Sequence, residues 1–130
     1  MPLNTPLVDH IDLRVRDRER AKSFYDTLAP QLGLTVISES PSWVGYEPPE
    51  NGAPQPFLGF IVDERHTPGE TRIALAGHSR EHVDQVAAAA RAAGAQRMEG
   101  PELCADYSPT YYACFFEDPD GNKWEVCHRG

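Results

Sequence analysis

A chain of 130 residues with 40% hydrophobic and 25% charged residues is the size of one globular domain with its own core. Twenty acids against twelve bases give a net charge of −8, which argues against nucleic acid, because phosphate recognition needs a basic footprint. No apolar run approaches a membrane span, and the opening residues lack the basic and hydrophobic regions of a signal peptide. A cytoplasmic protein is therefore expected, with neither membrane nor nucleic acid as partner. Cys104, Cys114 and Cys127 are odd in number and show no CxxC spacing, as free thiols in a reducing compartment would.

From the N-terminus, Ile11, Leu13 and Val15 alternate with His10, Asp12 and Arg14, so Val8–Val15 predicts a half-buried strand with a polar second face. Asp17 suits a helix N-cap, and Ala21, Phe24, Tyr25 and Leu28 follow at the spacing of one helix face. Pro30 and Gly33 close that helix. Leu34–Glu39, Ser42–Tyr46 and Phe57–Val62 predict three strands, the last two separated by the Pro- and Gly-rich loop Glu47–Pro56.

The second half replays this order at an offset of 62 residues. His10-Ile11-Asp12-Leu13 aligns with Arg72-Ile73-Ala74-Leu75, and Asp17-Arg18-Glu19 with Ser79-Arg80-Glu81. Arg72–Ala76 predicts a strand, Ser79 an N-cap, and Val83, Val86, Ala87 and Ala90 a helix stripe ended by Gly94. A weak strand near Gln96–Glu99 precedes a hairpin of Tyr111–Glu117 and Asn122–His128. Its turn, Asp118-Pro119-Asp120-Gly121, has the Pro and Gly positions of a type I turn. The fold expected is α+β, a single domain over residues 1–130 built from two βαβββ modules, about 7–64 and 71–129. Two units are too few for a solenoid array.

Alternation assigns faces. The more apolar side of each strand should lie beneath the helices, which puts Ile11, Leu13, Ile73, Leu75, Ala113, Phe115, Trp124 and Val126 there. The opposite side then carries His10, Asp12, Arg14, Arg72, Tyr112, Cys114, Phe116, Lys123, Glu125 and Cys127. Such a face is either washed by solvent or rolled into a polar pocket, and composition does not choose between these.

The tail from Tyr111 to Val126, with its Glu117-Asp118-Pro119-Asp120-Gly121-Asn122 turn, resembles the C-terminal signature of the glyoxalase/bleomycin resistance/dioxygenase proteins, the vicinal oxygen chelate superfamily. The opening Val8–Val15 followed by Phe24-Tyr25 is similar to the N-terminal signature. The resemblance implies a cupped mixed sheet with helices on its convex face, often completed in a homodimer. It also implies a divalent cation (Zn, Ni, Fe or Mn) held on the concave face by four ligands from the first and last strand of each module.

Two of those four positions match. His10 stands where the first-strand His belongs and Glu125 where the last-strand carboxylate belongs. Arg72 occupies the place of the second module's His, and Phe57–Val62 offers no ligand before Asp63. Catalytic zinc commonly keeps three protein ligands, and iron oxygenases use two His and a carboxylate. One His and one carboxylate beside a permanent guanidinium fall short of either, so a bound metal is expected to be absent. His66, His78, His82 and His128 lie in the linker, a loop, a helix's first turn and the chain end, where none replaces the missing ligand.

Two functions follow from the resemblance. In one, His10 and Glu125 act as acid and base in a divergent lyase, isomerase or dioxygenase. In the other, the protein sequesters a drug or metabolite without chemistry. Either way the expected ligand is a small polar or anionic molecule met by Arg72, Tyr112, Asp12, Arg14 and Cys114. Arg72 is expected to pair bidentately with Glu125 or with an anionic group of the ligand.

Overall fold

The computed structural model describes residues 6–52 and 55–130. Strand β1 (His10–Val15) leads into helix α1 (Arg18–Leu28) and a short 3-10 turn (Ala29–Leu32), followed by β2 (Val36–Ser40), β3 (Trp43–Glu47) and β4 (Phe57–Val62). The second half repeats the order with β5 (Arg72–Ala76), α2 (Arg80–Ala93), β6 (Gln96–Leu103), β7 (Tyr112–Glu117) and β8 (Lys123–His128). Each half forms its own four-stranded mixed sheet, ordered β1-β4-β3-β2 and β5-β8-β7-β6, with the first strand parallel to the fourth.

The caps are those the sequence names. Asp17 accepts from the Arg20 amide and Ser79 from the His82 amide, satisfying N–H groups that a helix start leaves unpaired. Gly94 ends α2 with φ of +102°, where a side chain would be strained. In the hairpin turn the Gly121 amide returns to the Asp118 carbonyl at 2.9 Å. Of the predicted loop Glu47–Pro56, residues 53 and 54 lie outside the described residues.

The helices pack against each other, and one core runs beneath both. Phe24, Tyr25 and Leu28 of α1 and Val83, Val86, Ala87 and Ala90 of α2 meet Val44, Tyr46 and Phe60 of the first sheet and Phe116, Trp124 and Val126 of the second. Each large apolar side chain buried there contributes about 1.5–3 kcal/mol. Polar groups then tie the halves at one end. The Tyr25 hydroxyl donates to Asp118 at 2.7 Å and accepts from Trp124 Nε1 at 3.0 Å. Arg16 and Arg20 both reach the buried Asp120, at 2.8 and 3.0 Å.

One expected face assignment is reversed. In β7, Tyr112, Cys114 and Phe116 lie on the helix side, and Ala113 and Phe115 on the open side. The register requires this: Cys114 sits opposite Val126 and Phe116 opposite Trp124, and antiparallel partners share a face. The run Tyr112-Ala113-Cys114-Phe115-Phe116 has no polar alternation, so hydrophobicity alone could not fix its phase. Trp124 fixes it, by burying itself against Tyr25.

Candidate functional site

The open faces of the two sheets carry the ionisable residues. On the first, the pairing sets His10 beside Phe57, Asp12 beside Gly59, and Arg14 beside Ile61. Alternation along β3 adds Trp43, Gly45 and Glu47 to that face. The His10 ring stacks on Phe57 with centroids 4.5 Å apart and planes 8° from parallel. Its Nδ1 lies 2.7 Å from Asp9 and its Nε2 3.4 Å from Asp12. The Asp9 hydrogen bond, aided by the charge of Asp12, holds the His10 pKa above the usual imidazole value.

Trp43 is half-buried, and its indole occupies the space that side chains at Gly45 and Gly59 would need. A Cβ at Gly59 would come within 2.9 Å of the indole Nε1, and one at Gly45 within 2.2 Å of the indole Cη2. Both glycines are buried, and the indole covers these two strand positions that carry no side chain. Asp12 borders the same spot, its Oδ1 lying 3.3 Å from where a Gly59 Cβ would be.

On the second sheet, Glu125 is buried and the Tyr111 hydroxyl donates to its Oε2. Burial, then contacts with Cys127 and Glu125, push the Tyr111 pKa far above the ordinary phenol value. Tyr107 packs edge-on against Tyr111 at 5.1 Å. Tyr111 is thus a candidate site residue that the sequence reading passed over: with the phase of β7 reversed, it shares the open face of Ala113 and Phe115. Arg72 lies over the Phe115 ring at 4.9 Å from its centroid. It forms no ion pair with Glu125, so the expected structural pairing is replaced by a Tyr111–Glu125 bond and an Arg72–Phe115 stack.

Two expected ligand contacts leave this face altogether. Cys114 is fully buried in the core, where burial pushes its thiol up to about 11. The Tyr112 hydroxyl donates to Asp84 of α2 at 2.6 Å, and Arg80 lies over its ring. The register described above turns both away from the open face.

The four positions of the expected metal site are now placed. Because Asp12 and Ala74 are equivalent by the 62-residue offset, their β partners Gly59 and Glu125 are equivalent too. Glycine therefore stands where module one would supply its carboxylate, under the Trp43 indole. Arg72 stands at the third position, and the two remaining donors are engaged: His10 by Asp9 and Asp12, Glu125 by Tyr111. Among the described residues, no three His, Cys, Asp or Glu side chains gather as metal ligands. The donor set does not fit a resident divalent cation.

Ile11 and Leu58 from one sheet and Ile73, Leu75 and Trp124 from the other line an apolar groove of about 480 Å³. No helix is long and apolar enough to cross a membrane among the described residues.

The profile of the Glyoxalase/Bleomycin resistance protein/Dioxygenase superfamily matches residues 7–126. A glyoxalase/bleomycin resistance protein from Albidiferax ferrireducens is 29% identical, covers 96% of this chain and 100% of its own, and superposes with a TM-score of 0.79. A glyoxalase/bleomycin resistance protein/dioxygenase family enzyme from Burkholderia phytofirmans is 20% identical, with coverage of 94% and 98% and a TM-score of 0.70. An antibiotic binding protein from a Streptomyces species is 24% identical, with coverage of 99% and 100% and a TM-score of 0.62. At those two lower identities the likeness is one of fold. Among curated proteins none matches the chain.

Proposed function

Since the chain belongs to the Glyoxalase/Bleomycin resistance protein/Dioxygenase superfamily, we propose that it is a binding protein that sequesters a small polar molecule on its open sheet faces without metal chemistry. One observation carries this reading. Of the four ligand positions, Gly59 and Arg72 cannot coordinate, and His10 and Glu125 already have protein partners. A site so rebuilt keeps a shaped, polar face while giving up the Lewis acid that the family's chemistry needs.

The ligand would meet Asp12, Arg14 and Arg72, with His10 and Glu125 as hydrogen-bonding groups. Among the described residues Arg72 has no acidic partner, and it rests on Phe115, which leaves its guanidinium edge to an anionic group of the ligand. The antibiotic binding relative is consistent with such a role. In this reading the protein is a cytoplasmic homodimer, with its cysteines free.

The burial of Glu125 beside Tyr111 supports a second reading, in which Glu125 and His10 serve as acid and base in a lyase, isomerase or dioxygenase. Metal analysis of protein purified without chelator separates the two. The binding reading expects no stoichiometric metal, and thermal stabilisation by a subset of small polar compounds. Saturation at 100 times Kd would stabilise the native state by about 2.7 kcal/mol. Stoichiometric metal that disappears in His10→Ala would overturn it in favour of the enzyme.

A further inference from the structure

Arg72 and Glu125 are opposite charges on neighbouring strands that do not pair. In the β5–β8 register the partner of Glu125 is Ala74, which sets Arg72 on the diagonal, opposite Lys123. The Arg72 guanidinium crosses β8 and rests over the ring of Phe115, the partner of Glu125 on its other side. The cation therefore passes beside the carboxylate and is held by an aromatic face instead. Glu125 is itself only half satisfied. Its Oε2 accepts from Tyr111, while its Oε1 accepts from no described residue, although the side chain is only 7% exposed. A buried acceptor without a donor is costly. Arg18 Nε is the one sealed side-chain atom without a partner among the described residues, so Glu125 Oε1 is open to an incoming donor.

The rest of this face decides the charge a ligand needs. Lys123 and Arg97 both pair with Glu117. On β6, Glu99 and Glu102 stand opposite Phe115 and Ala113 and add negative charge on the same side. A ligand carrying only an anionic group would gain at Arg72 but be repelled by the carboxylates around it. One carrying only a cation would leave Arg72 without a partner. A molecule with both charges on one carbon serves both groups: its carboxylate accepts from the guanidinium fork, and its ammonium donates to Glu125 Oε1. Ala74 lies beside Glu125 with only a methyl group and is exposed, which leaves room for that carbon.

We propose that Arg72 and Glu125 together hold an α-amino acid headgroup, with its carboxylate on Arg72 and its ammonium on Glu125 Oε1. Tyr111 positions Glu125 from the other oxygen, and Phe115 supports the guanidinium from below. This inference rests on the ligand-binding reading above and names its ligand class: a zwitterion, whose anionic group is the one Arg72 receives.

The test uses L-leucine, L-phenylalanine and L-glutamine, each beside the acid that lacks its amino group and the amine that lacks its carboxylate. Isothermal titration calorimetry on metal-free protein should show at least one amino acid binding saturably, about tenfold or more tighter than either of its fragments. In Arg72→Gln that amino acid should bind no more tightly than its amine. In Glu125→Gln, which keeps an acceptor for Tyr111, it should bind no more tightly than its acid. Far-UV CD and Tm confirm that both variants are folded. No binding by any of the three amino acids, an acid that binds as tightly as its amino acid, or selectivity that survives in either folded variant would each overturn the headgroup site. Acids that bind alone through Arg72 would do so while leaving the sequestering reading in place. Stoichiometric metal in protein purified without chelator would sink that reading, and the headgroup site with it, because the cation would take Glu125.

Discussion

The Tyr25 hydroxyl donates to Asp118 across 93 residues of sequence, at 2.7 Å and in a fully buried setting. Asp118 also accepts from the Asp120 and Asn122 amides at 2.9 Å, so this one carboxylate both shapes the β7–β8 turn and receives the first module's helix. Tyr25→Phe removes the donor and the partner of Trp124 Nε1 together. A hydrogen bond to a charged group is worth about 1.5–3 kcal/mol, and that is the loss expected in urea unfolding. Asp118→Ala should cost more, on the order of 3–5 kcal/mol, because several buried donors lose their acceptor at once. An unchanged urea midpoint in Tyr25→Phe would show that the network adds nothing to stability.

Alkali should find the same network. Burial and the neighbouring Asp118 raise the Tyr25 pKa well above 10, and burial with Asp26 does the same to Tyr46. The fold thus favours the neutral phenols. Their contribution is fully present below the unfolded value near 10 and is lost as pH rises through it toward the folded values. A spectrophotometric titration should show these phenolates appearing late and together with loss of far-UV CD. Early ionisation of both with the fold intact would contradict the buried arrangement.

Cysteine labelling reads the β7 register directly. Cys114 is fully buried and its thiol is pushed up to about 11, so near pH 8 it should resist a thiol reagent until the protein unfolds. The partly exposed Cys104 and Cys127 provide the internal comparison. Labelling of Cys114 at their rate in native protein would restore the opposite face assignment.

The Tyr111–Glu125 bond predicts two results. Tyr111→Phe leaves a buried carboxylate without its phenol donor and should cost about 1–3 kcal/mol in thermal or urea unfolding. Incubation with EDTA should leave Tm unchanged in wild-type protein, because the carboxylate's partner is a side chain. A drop in Tm on chelation, reversed by zinc or iron, would indicate that a metal competes for Glu125.

At His10 the prediction concerns protonation. The hydrogen bond that His10 Nδ1–H donates to Asp9 raises its pKa, so Asp9→Asn should lower the midpoint followed by imidazole NMR, with Asp12→Asn having a smaller effect in the same direction. The charged form then persists to higher pH in the wild type than in either variant. A midpoint unchanged by Asp9→Asn would mean that the pair does not persist in solution.

The sequence by itself determined the βαβββ repeat, because strand alternation, N-caps at Asp17 and Ser79, and glycine stops at Gly33 and Gly94 are local signals. It also exposed the mismatch of His10 with Arg72, since equivalent positions in two repeats can be compared without coordinates. It could not phase β7, where five successive apolar residues carry no alternation. Nor could it see that Gly45 and Gly59 lie together beneath Trp43, or that Glu125 is held by Tyr111 rather than Arg72. Those are pairings across strands and loops, fixed by register and by which side chain wins the core. Only the tertiary structure decided them, because one buried tryptophan at position 124 sets the face of every neighbour on its sheet.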